Sequence, residues 1–224
     1  MFKTELHCHS IDASPCSTES VESLVEIYAK AGYDTVILTN HFCDSVREHY
    51  GCKSVSEYVD FFVEAGEKMK RSAQGKLEVV ISAELRFNEN FNDYLWFGFD
   101  PEYIKNNPDI FELGVTRFHE VCKERGWLLV QAHPFRTGMR IISPKDIDGV
   151  EVYNGHIGHE SKNFLAMGLA TEYNLIKTSG TDLHYARVPA TGGILTNEKI
   201  TSQQQLISVL KSGLYELLTT DLVR

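Results

Sequence analysis

Short apolar runs alternate with amphipathic stretches along the chain, and this alternation predicts an order of strands and helices. Residues 35–38 (TVIL) and 127–130 (WLLV) have the length and composition of buried strands. Residues 21–31 carry apolar positions at helical spacing, and Gly32 is a plausible stop. Ser54 with Glu57 and Asp109 with Glu112 are predicted to cap two later helices. Strands are predicted at 2–7, 35–38, 77–81, 127–130, 149–153, 175–178, 193–195 and 215–218, helices at 21–31, from 54, at 109–125, at 160–173 and from 202, and an extra strand or a loop at 94–99.

Strands followed by helices or loops are typical of an α/β fold with a parallel sheet. Seven or eight such units in 224 residues predict an irregular (β/α) barrel in a single domain spanning residues 1–224. Residues 197–224 complete the domain with a helix and a strand. An open doubly wound sheet is the alternative, because its ligands also gather at strand ends, although at one crevice.

Five apolar runs end at side chains that commonly bind metal ions. A barrel of parallel strands brings the carboxyl ends of its strands to one mouth, so a metal site is the simplest cause of this pattern. Ligands after five different strands also favour a closed barrel over an open sheet. The segments are residues 5–9 (ELHCH), 39–41 (TNH), 82–84 (SAE), 131–133 (QAH) and 180–184 (GTDLH).

Two of these segments place paired ligands on one face of a strand. Alternate side chains of a strand share a face, so His7 and His9 point at one ion while Cys8 points away. Asp182 and His184 repeat that spacing and can serve neighbouring ions. Imidazole suits zinc or iron, and carboxylates extend the choice to manganese.

The other three segments each allow a structural role beside the metal role. Glu84 either bridges two ions or forms a salt bridge with Arg86. His41 is either a ligand or a buried core histidine. His133 precedes Pro134, which predicts extended backbone there.

Charge and cysteine content exclude some classes of protein. The net charge of −9 disfavours binding to nucleic acid or to an anionic membrane surface. Five cysteines without C-x-x-C spacing predict reduced thiols and a cytoplasmic protein rather than a disulfide framework. We expect no signal peptide, because the first motif follows the first four residues directly, and no stretch is long and apolar enough to span a bilayer.

The ordered set of motifs resembles the PHP (polymerase and histidinol phosphatase) superfamily over residues 2–196. Each motif is short, but their order is specific. The strand at 150–154 (VEVYN) also resembles the strand that precedes the last motif in that family. The matching segments are residues 7–9 (HCH), 39–41 (TNH), Glu84, residues 132–134 (AHP) and residues 179–184 (SGTDLH).

The resemblance implies a distorted (β/α)7-type, TIM-like barrel with two or three divalent ions at its mouth, drawn from manganese, zinc and iron. Members of the family commonly hydrolyse phosphate esters. The ligands that the resemblance implies are His7, His9, Glu84 and Asp182 for a first ion, Glu84 and His133 for a second, and His41 and His184 for a third.

Three positions depart from the family pattern. Asn40 stands where an aspartate usually precedes the histidine, so a negative charge is missing. Asp100 stands where some members have a histidine ligand, and it is either an oxygen ligand or an exposed loop residue. Asp12 is the nearest acidic candidate for the third ion after the first motif.

The predicted reaction is hydrolysis of a small phosphomonoester by a hydroxide held between two ions. Asp182 or His184 takes or gives the proton. Arginine offers a planar pair of donors to phosphate, which makes Arg136 the first choice for substrate binding and Arg86 and Arg187 the next, although each also fits an ordinary surface arginine.

The sequence is also compatible with two other functions. An amidohydrolase-like hydrolase would keep the metals, but that group often has a bridging lysine where this chain has Glu84. A metal-binding module without catalysis is the second. His156 and His159 are predicted to lie on a loop at the mouth, where they either touch substrate or form ordinary loop surface. Cys16 and Cys43 are predicted to be redox-sensitive thiols rather than nucleophiles.

Overall fold

Eleven strands and seven α-helices are found in residues 1–220, the part of the chain that this computed structural model describes. Residues 221–224, the end of the predicted domain, lie outside the described residues. The strands are β1 (Phe2–Glu5), β2 (Thr35–Leu38), β3 (His41–Phe42), β4 (Glu78–Ile81), β5 (Ala83–Leu85), β6 (Tyr94–Phe97), β7 (Leu128–Gln131), β8 (Gly149–Asn154), β9 (Ile176–Gly180), β10 (Ile194–Thr196) and β11 (Glu216–Leu217). The helices are α1 (Val21–Lys30), α2 (Asp44–His49), α3 (Val55–Ala73), α4 (Pro101–Asn106), α5 (Gly114–Arg125), α6 (Asn163–Glu172) and α7 (Gln203–Ser212).

The strands form two sheets in a mixed α/β arrangement rather than one uniformly parallel barrel. The five-stranded sheet has the order β11-β10-β1-β2-β4, and the six-stranded sheet has the order β3-β5-β6-β7-β8-β9. The run at 94–99 is a strand, β6, and it is antiparallel to both of its neighbours, β5 and β7. Its start therefore lies at the carboxyl ends of those neighbours, and its end lies at the opposite edge of the sheet.

Backbone hydrogen bonds connect the two sheets where their strands end. The amide of Glu84 donates to the carbonyl of Asn40 at 3.0 Å, which continues the β2–β4 pairing into β3 and β5. On the other side, the amide of Asp182 donates to the carbonyl of His7 at 2.8 Å, next to an isolated bridge between Cys8 and Leu183. These bonds bring the carboxyl ends of β1, β5 and β9 together.

Alternation along the strands divides the apolar residues between two sides of the sheet. Leu95 and Val130 are buried in a cluster drawn from β2, β4, β6, β7 and β10, together with Leu6 just after β1, and covered by α7. Trp96 and Leu129 face the other way, into an aromatic cluster shared with α3, α4 and α5. Full burial of one such side chain stabilises the fold by about 1.5–3 kcal/mol relative to leaving it exposed. The apolar residues therefore fix which face of each strand is turned toward the site.

Helix caps show where local sequence was sufficient and where it was not. The predicted cap of α3 is present, since Ser54 Oγ accepts a hydrogen bond from the amide of Glu57 at 3.1 Å. The predicted cap of α5 by Asp109 is wrong. Residues 110–112 form a 3₁₀ turn, and Glu89 accepts from the amide of Val115 at 2.9 Å, so the cap comes from a distant loop.

No helix in residues 1–220 is both long and apolar enough to cross a membrane.

Candidate metal centre

Glu84, on β5, lies at the centre of the ligands that the sequence predicted. Its side chain is 0% exposed. Oε1 lies 3.0 Å from His133 Nε2 and 3.2 Å from His7 Nε2. Oε2 lies 2.8 Å from His41 Nδ1 and 3.4 Å from His9 Nε2. One carboxylate thus contacts four imidazoles, and the alternative salt bridge with an arginine is not formed by this residue.

Asp182 is the second carboxylate of the cluster, just after β9. Its Oδ1 lies 3.2 Å from His9 Nε2 and 3.5 Å from His7 Nε2. Its Oδ2 accepts hydrogen bonds from Arg136 Nη2 at 2.7 Å and from Asn154 Nδ2 at 3.1 Å. The backbone has φ +52°, a strained value for a residue other than glycine, which turns the carboxylate toward the histidines.

Glu151, buried in β8, orients two of the histidines. Nδ1 of His7 lies 2.8 Å from Oε1 of Glu151; because a carboxylate accepts, Nδ1 carries the proton and Nε2 keeps its lone pair for the cluster. Oε2 of Glu151 accepts from the amide of His133 at 3.0 Å. The predicted extended backbone at His133 is wrong: φ is +30° there, and this hydrogen bond supports the strained turn.

Glu5 joins the segments that carry His7 and Asp182. Its Oε1 accepts from the amides of Leu6 at 2.9 Å, His7 at 3.0 Å and Thr181 at 2.9 Å. Burial raises the pKa of this carboxyl, while the hydrogen bonds from Thr181 oppose the rise. Glu5 therefore positions ligands on two strands without touching the centre itself.

A second group of rings lies beside the carboxylates. The ring of His9 is 4.6 Å from that of His41 and 4.7 Å from that of His184, measured between centroids. Cys16 lies beside this group: partial desolvation opposes ionisation of its thiol, but hydrogen bonding with His184 and His41 lowers the pKa to about 7. Nδ1 of His184 donates to the carbonyl of Asp182 at 2.9 Å.

The residues fit divalent ions on two counts. Metal bonds of about 2.0–2.2 Å place neighbouring ligand atoms roughly 3 Å apart, and the contacts of Glu84 and Asp182 with the histidines span 2.8 to 3.5 Å. Glu84 Oε2 and His41 Nδ1 are buried without hydrogen-bond partners although they lie 2.8 Å apart. Such unpaired buried atoms are costly unless something binds between them.

The charges of the cluster favour cations. Burial opposes the charged form of His7, yet Glu151, Asp182 and Glu84 raise its pKa well above the usual value. Burial likewise opposes ionisation of Glu84, but His41 and His7 hold its pKa well below the usual range. The pocket therefore binds protons where ions are absent, and ion binding must displace them.

Two predicted ligands lie outside the cluster. Asp12 accepts from Lys68 Nζ at 2.7 Å and from the amide of Val21 at 2.9 Å, so it caps α1. Asp100 caps α4 and accepts from the amides of Glu102 and Tyr103, both at 3.0 Å. Asp100 is distant because β6 is antiparallel to its neighbours and carries its end away from the mouth.

The antiparallel direction of β6 also brings the residue before this strand to the cluster. Asp93, directly before β6, forms a ligand-type group with His41 and Glu84. Its carboxylate also accepts two hydrogen bonds from Arg86, at 2.7 and 2.8 Å, so that predicted substrate arginine is already engaged.

The remaining predicted arginines differ in position. Arg136 reaches the cluster through Asp182 and also donates to Asn154 Oδ1 at 3.0 Å, and its buried Nε has no hydrogen-bond partner. Arg187 is exposed and lies over the ring of Tyr185, 5.6 Å from its centroid.

Asn40 has a structural role in place of the usual aspartate. Its Oδ1 accepts from the amide of Ser10 at 2.7 Å, and its Nδ2 donates to Ser10 Oγ at 3.1 Å. The neutral amide uses both of its ends here, so it holds the turn after His9 against the end of β2.

The loop after β8 lies at the mouth, next to the ring of His184. The ring centroid of His156 is 4.8 Å from that of His184, and burial lowers the pKa of His156 to about 4. A cavity of about 330 Å³ adjoins the loop. Asn154, His156, His159 and Lys162 are among its lining residues.

Five residues at the site were not predicted from sequence to belong to it. Two carried a signal: Glu5 shares the alternating face of His7 and His9, and Glu151 is a charge inside an apolar strand. The other three, which only their tertiary contacts identify, are Cys16, Asp93 and Asn154.

Comparison of the sequence with family models and with curated proteins gives no match. Solved structures do match. A two-domain protein from Bacteroides vulgatus, described as containing a predicted PHP-like metal-dependent phosphoesterase, aligns with TM-score 0.67 and 16% identity over 97% of this chain and 64% of that chain. PsfC from Pseudomonas syringae aligns with TM-score 0.70 and 16% identity over 98% of this chain and 92% of that chain.

An amidohydrolase from Chromobacterium violaceum with bound sulfate and no metal aligns with TM-score 0.48 and 13% identity over 97% of this chain and 98% of that chain, too low a score to support an argument. The chain covers less than two thirds of the Bacteroides protein. At 16% identity both likenesses concern the fold alone. At that level the predicted resemblance is confirmed by the Bacteroides protein, which is the one of the two described as PHP-like.

Proposed function

We propose that the protein is a metal-dependent phosphoesterase that hydrolyses a small phosphomonoester. The observation that carries the proposal is the buried carboxylate of Glu84, which contacts four imidazoles and keeps one oxygen without a hydrogen-bond partner. A phosphorylated substrate and two or three divalent ions from manganese, zinc and iron are part of the proposal.

The cluster supports a division of ligands between neighbouring ions. His7 and His9 contact each other, and both contact Glu84 and Asp182, which suits a first ion held by these four residues. His133 contacts the Oε1 side of Glu84 at 3.0 Å, which suits a second ion bridged by that carboxylate. His41 and His184 flank His9 and belong to a third position. Ions at these places would supply charge neutralisation and an activated water near neutral pH.

Arg136 is proposed to bind the phosphoryl group. Its Nη2 is held by Asp182 and Asn154, which fixes the guanidinium plane at the mouth. Its buried Nε is free to donate to a phosphate oxygen, and charge-assisted bonds of this kind are the stronger class. Arg86 and Arg187 are secondary candidates for binding the phosphoryl group, because Arg86 pairs with Asp93 and Arg187 lies over the ring of Tyr185.

Proton transfer to the leaving oxygen is assigned to Asp182 or His184. His184 Nδ1 lies 3.4 Å from Asp182 Oδ1, and the His184 ring borders the loop that lines the 330 Å³ cavity. That volume is at the small end of ligand pockets, which favours a small leaving group. Lys162 and His156 at its wall suit hydroxyl or acidic groups on that part of the substrate.

We further propose that the two sheets act as one distorted (β/α)7-type barrel. The hydrogen bonds from Glu84 to Asn40 and from Asp182 to His7 support this, because they join the sheets on both sides. The ring would then run through β1, β2, β4, β6, β7, β8 and β9, with β3 and β5 as continuations.

Turnover of an aryl phosphate with manganese or zinc tests the function. We expect hydrolysis in the wild type and a loss on the order of 100-fold in Glu84→Gln, together with fewer bound ions by elemental analysis. Glu78→Gln, on the neighbouring β4, is the matched control and should retain both.

Other outcomes would contradict the proposal in different ways. Amide or lactone hydrolysis without phosphate-ester hydrolysis would favour an amidohydrolase-like enzyme. Stoichiometric metal without turnover of any of these substrates would favour a non-catalytic module.

A further inference from the structure

The third metal position lacks the acidic ligand that the resemblance to the PHP superfamily suggested after the first motif. Asp12 is the nearest carboxylate after the first motif, but it pairs with Lys68 and caps α1. His41 and His184 therefore need another partner for an ion between them. The side chain that the structure brings to this place is Cys16.

The Cys16 thiol belongs to a ligand-type group with two of the histidines. Its Sγ and the ring nitrogens of His9 and His41 all lie within 4.8 Å of one another. The loop that carries Cys16 also reaches His184, whose carbonyl accepts hydrogen bonds from Ser17 Oγ at 3.4 Å and from Thr18 Oγ1 at 3.2 Å. Glu84 Oε2, fully buried and without a hydrogen-bond partner, lies 2.8 Å from His41 Nδ1 and points into the same space.

The loop that carries Cys16 is held against all three histidine segments. Ser14 Oγ accepts from the amide of His41 at 2.8 Å. Ser17 Oγ donates to the carbonyl of His9 at 3.0 Å, and the amide of Thr18 donates to the carbonyl of His184 at 2.9 Å. These bonds fix residues on both sides of Cys16, so the fold holds this residue in place.

We propose that Cys16 is a thiolate ligand of the third metal position, together with His41 and His184. A coordinating thiol is deprotonated by the ion itself. Thiolate and imidazole favour zinc, cobalt and ferrous iron over manganese and magnesium, so this position is selective for the softer ions. The inference rests on the proposed metal centre and adds to it the class of ion at one place.

Cobalt absorption tests the ligand without relying on activity. The wild-type protein loaded with Co²⁺ should show a thiolate-to-cobalt charge-transfer band in the near ultraviolet. Cys16→Ser should lose that band and bind one ion fewer by elemental analysis, while Cys52→Ala, which removes a buried thiol next to α3, should keep both. Cys16→Asp should shift the preference in competition from zinc toward manganese. Circular dichroism of each variant confirms folding.

The outcomes separate this inference from the proposed function. Cobalt binding without the band, or a band that survives in Cys16→Ser, overturns the thiolate ligand and leaves the phosphoesterase proposal standing. Failure of the wild type to bind any divalent ion overturns both. Loss of the band in Cys16→Ser, with the remaining ions still bound by elemental analysis, supports a third position that is distinct from the bridged pair.

Discussion

Arg136 connects the predicted ligands to the predicted substrate. Its guanidinium binds Asp182 and Asn154 through Nη2, and its Nε has no partner. Lysine keeps the positive charge but lacks the planar fork of donors, so it cannot hold Asp182 and a phosphate oxygen in the same way.

Arg136→Lys should therefore raise KM for an aryl phosphate by roughly tenfold, which corresponds to about 1.4 kcal/mol, and lower kcat. Its metal content should stay at the wild-type level. Arg117→Lys, exposed on α5, is the control for arginine replacement. An unchanged KM in Arg136→Lys would remove this residue from the substrate site.

The protonation of His7 makes a separate prediction for metal-free protein. Burial opposes the charged form, but Glu151, Asp182 and Glu84 raise the pKa well above 6.5. A raised folded-state pKa stabilises the fold below the unfolded value, and this contribution is lost as pH rises toward the folded value.

In the presence of a chelator, the Tm of the wild type minus that of His7→Gln should therefore decrease from pH 6 to pH 8. This interval lies below the pH of about 8.5 at which cysteines ionise in the unfolded chain. His156→Gln provides a comparison of opposite sign. Burial lowers the pKa of His156 to about 4, so the wild type should gain relative to this variant over the same interval. Parallel pH profiles for both variants would refute the assignment.

The strand ends at the mouth approach one another so closely that glycine is required. A Cβ on Gly192 would lie 2.0 Å from the carbonyl carbon of Gly180 and 2.3 Å from the amide of Thr181. Both contacts are backbone atoms of the segment that leads from β9 to Asp182, so they cannot move without moving the ligand.

Gly192→Ala should lower the free energy of unfolding by about 1–3 kcal/mol and reduce metal content as well. Gly168→Ala, in α6 with nothing within 4 Å of the added Cβ, should instead raise stability by about 0.5–1 kcal/mol. Denaturant titration measures both. Wild-type stability and metal content in Gly192→Ala would show that the strand ends are not rigidly packed.

The two sheets meet at the metal centre, so ion binding and global stability should be linked. His7 and His9 follow a strand of one sheet, while Glu84 and Asp182 belong to or follow strands of the other. An ion held by both groups binds only the folded arrangement and stabilises it by mass action.

Chelation should lower Tm, and zinc or manganese at about 100 times Kd should restore roughly 2.7 kcal/mol, or about 5–10 °C for a chain of this size. The shift should be much smaller in Glu84→Gln. A Tm that does not depend on metal concentration would contradict the link between the sheets.

Periodicity predicted most strands and helices because buried strands and amphipathic helices leave local signals. The positions of β2 and α1 follow directly from residues 35–38 and 21–31. The direction of β6 did not follow, since an apolar run has the same pattern whichever way it is paired. That one reversal explains why Asp100 lies away from the mouth while Asp93 lies at it.

Site residues divide in the same way. His7, His9 and Glu84 were predictable because each follows a strand, and alternation tells which side chains share a face. Glu89 as the cap of α5 and Asn40 as the partner of Ser10 depend on contacts between distant segments, which local patterns do not encode.

The sequence by itself determined the α/β class, the histidines and carboxylates at the strand ends and the resemblance to PHP-like proteins, because these depend on local order and spacing. Only the tertiary structure decided which of these side chains meet, and it brings Cys16, rather than Asp12, into a group with His9 and His41. The physical reason is that a metal site is made from segments far apart in the chain, and their meeting depends on strand direction, loop closure and packing rather than on spacing.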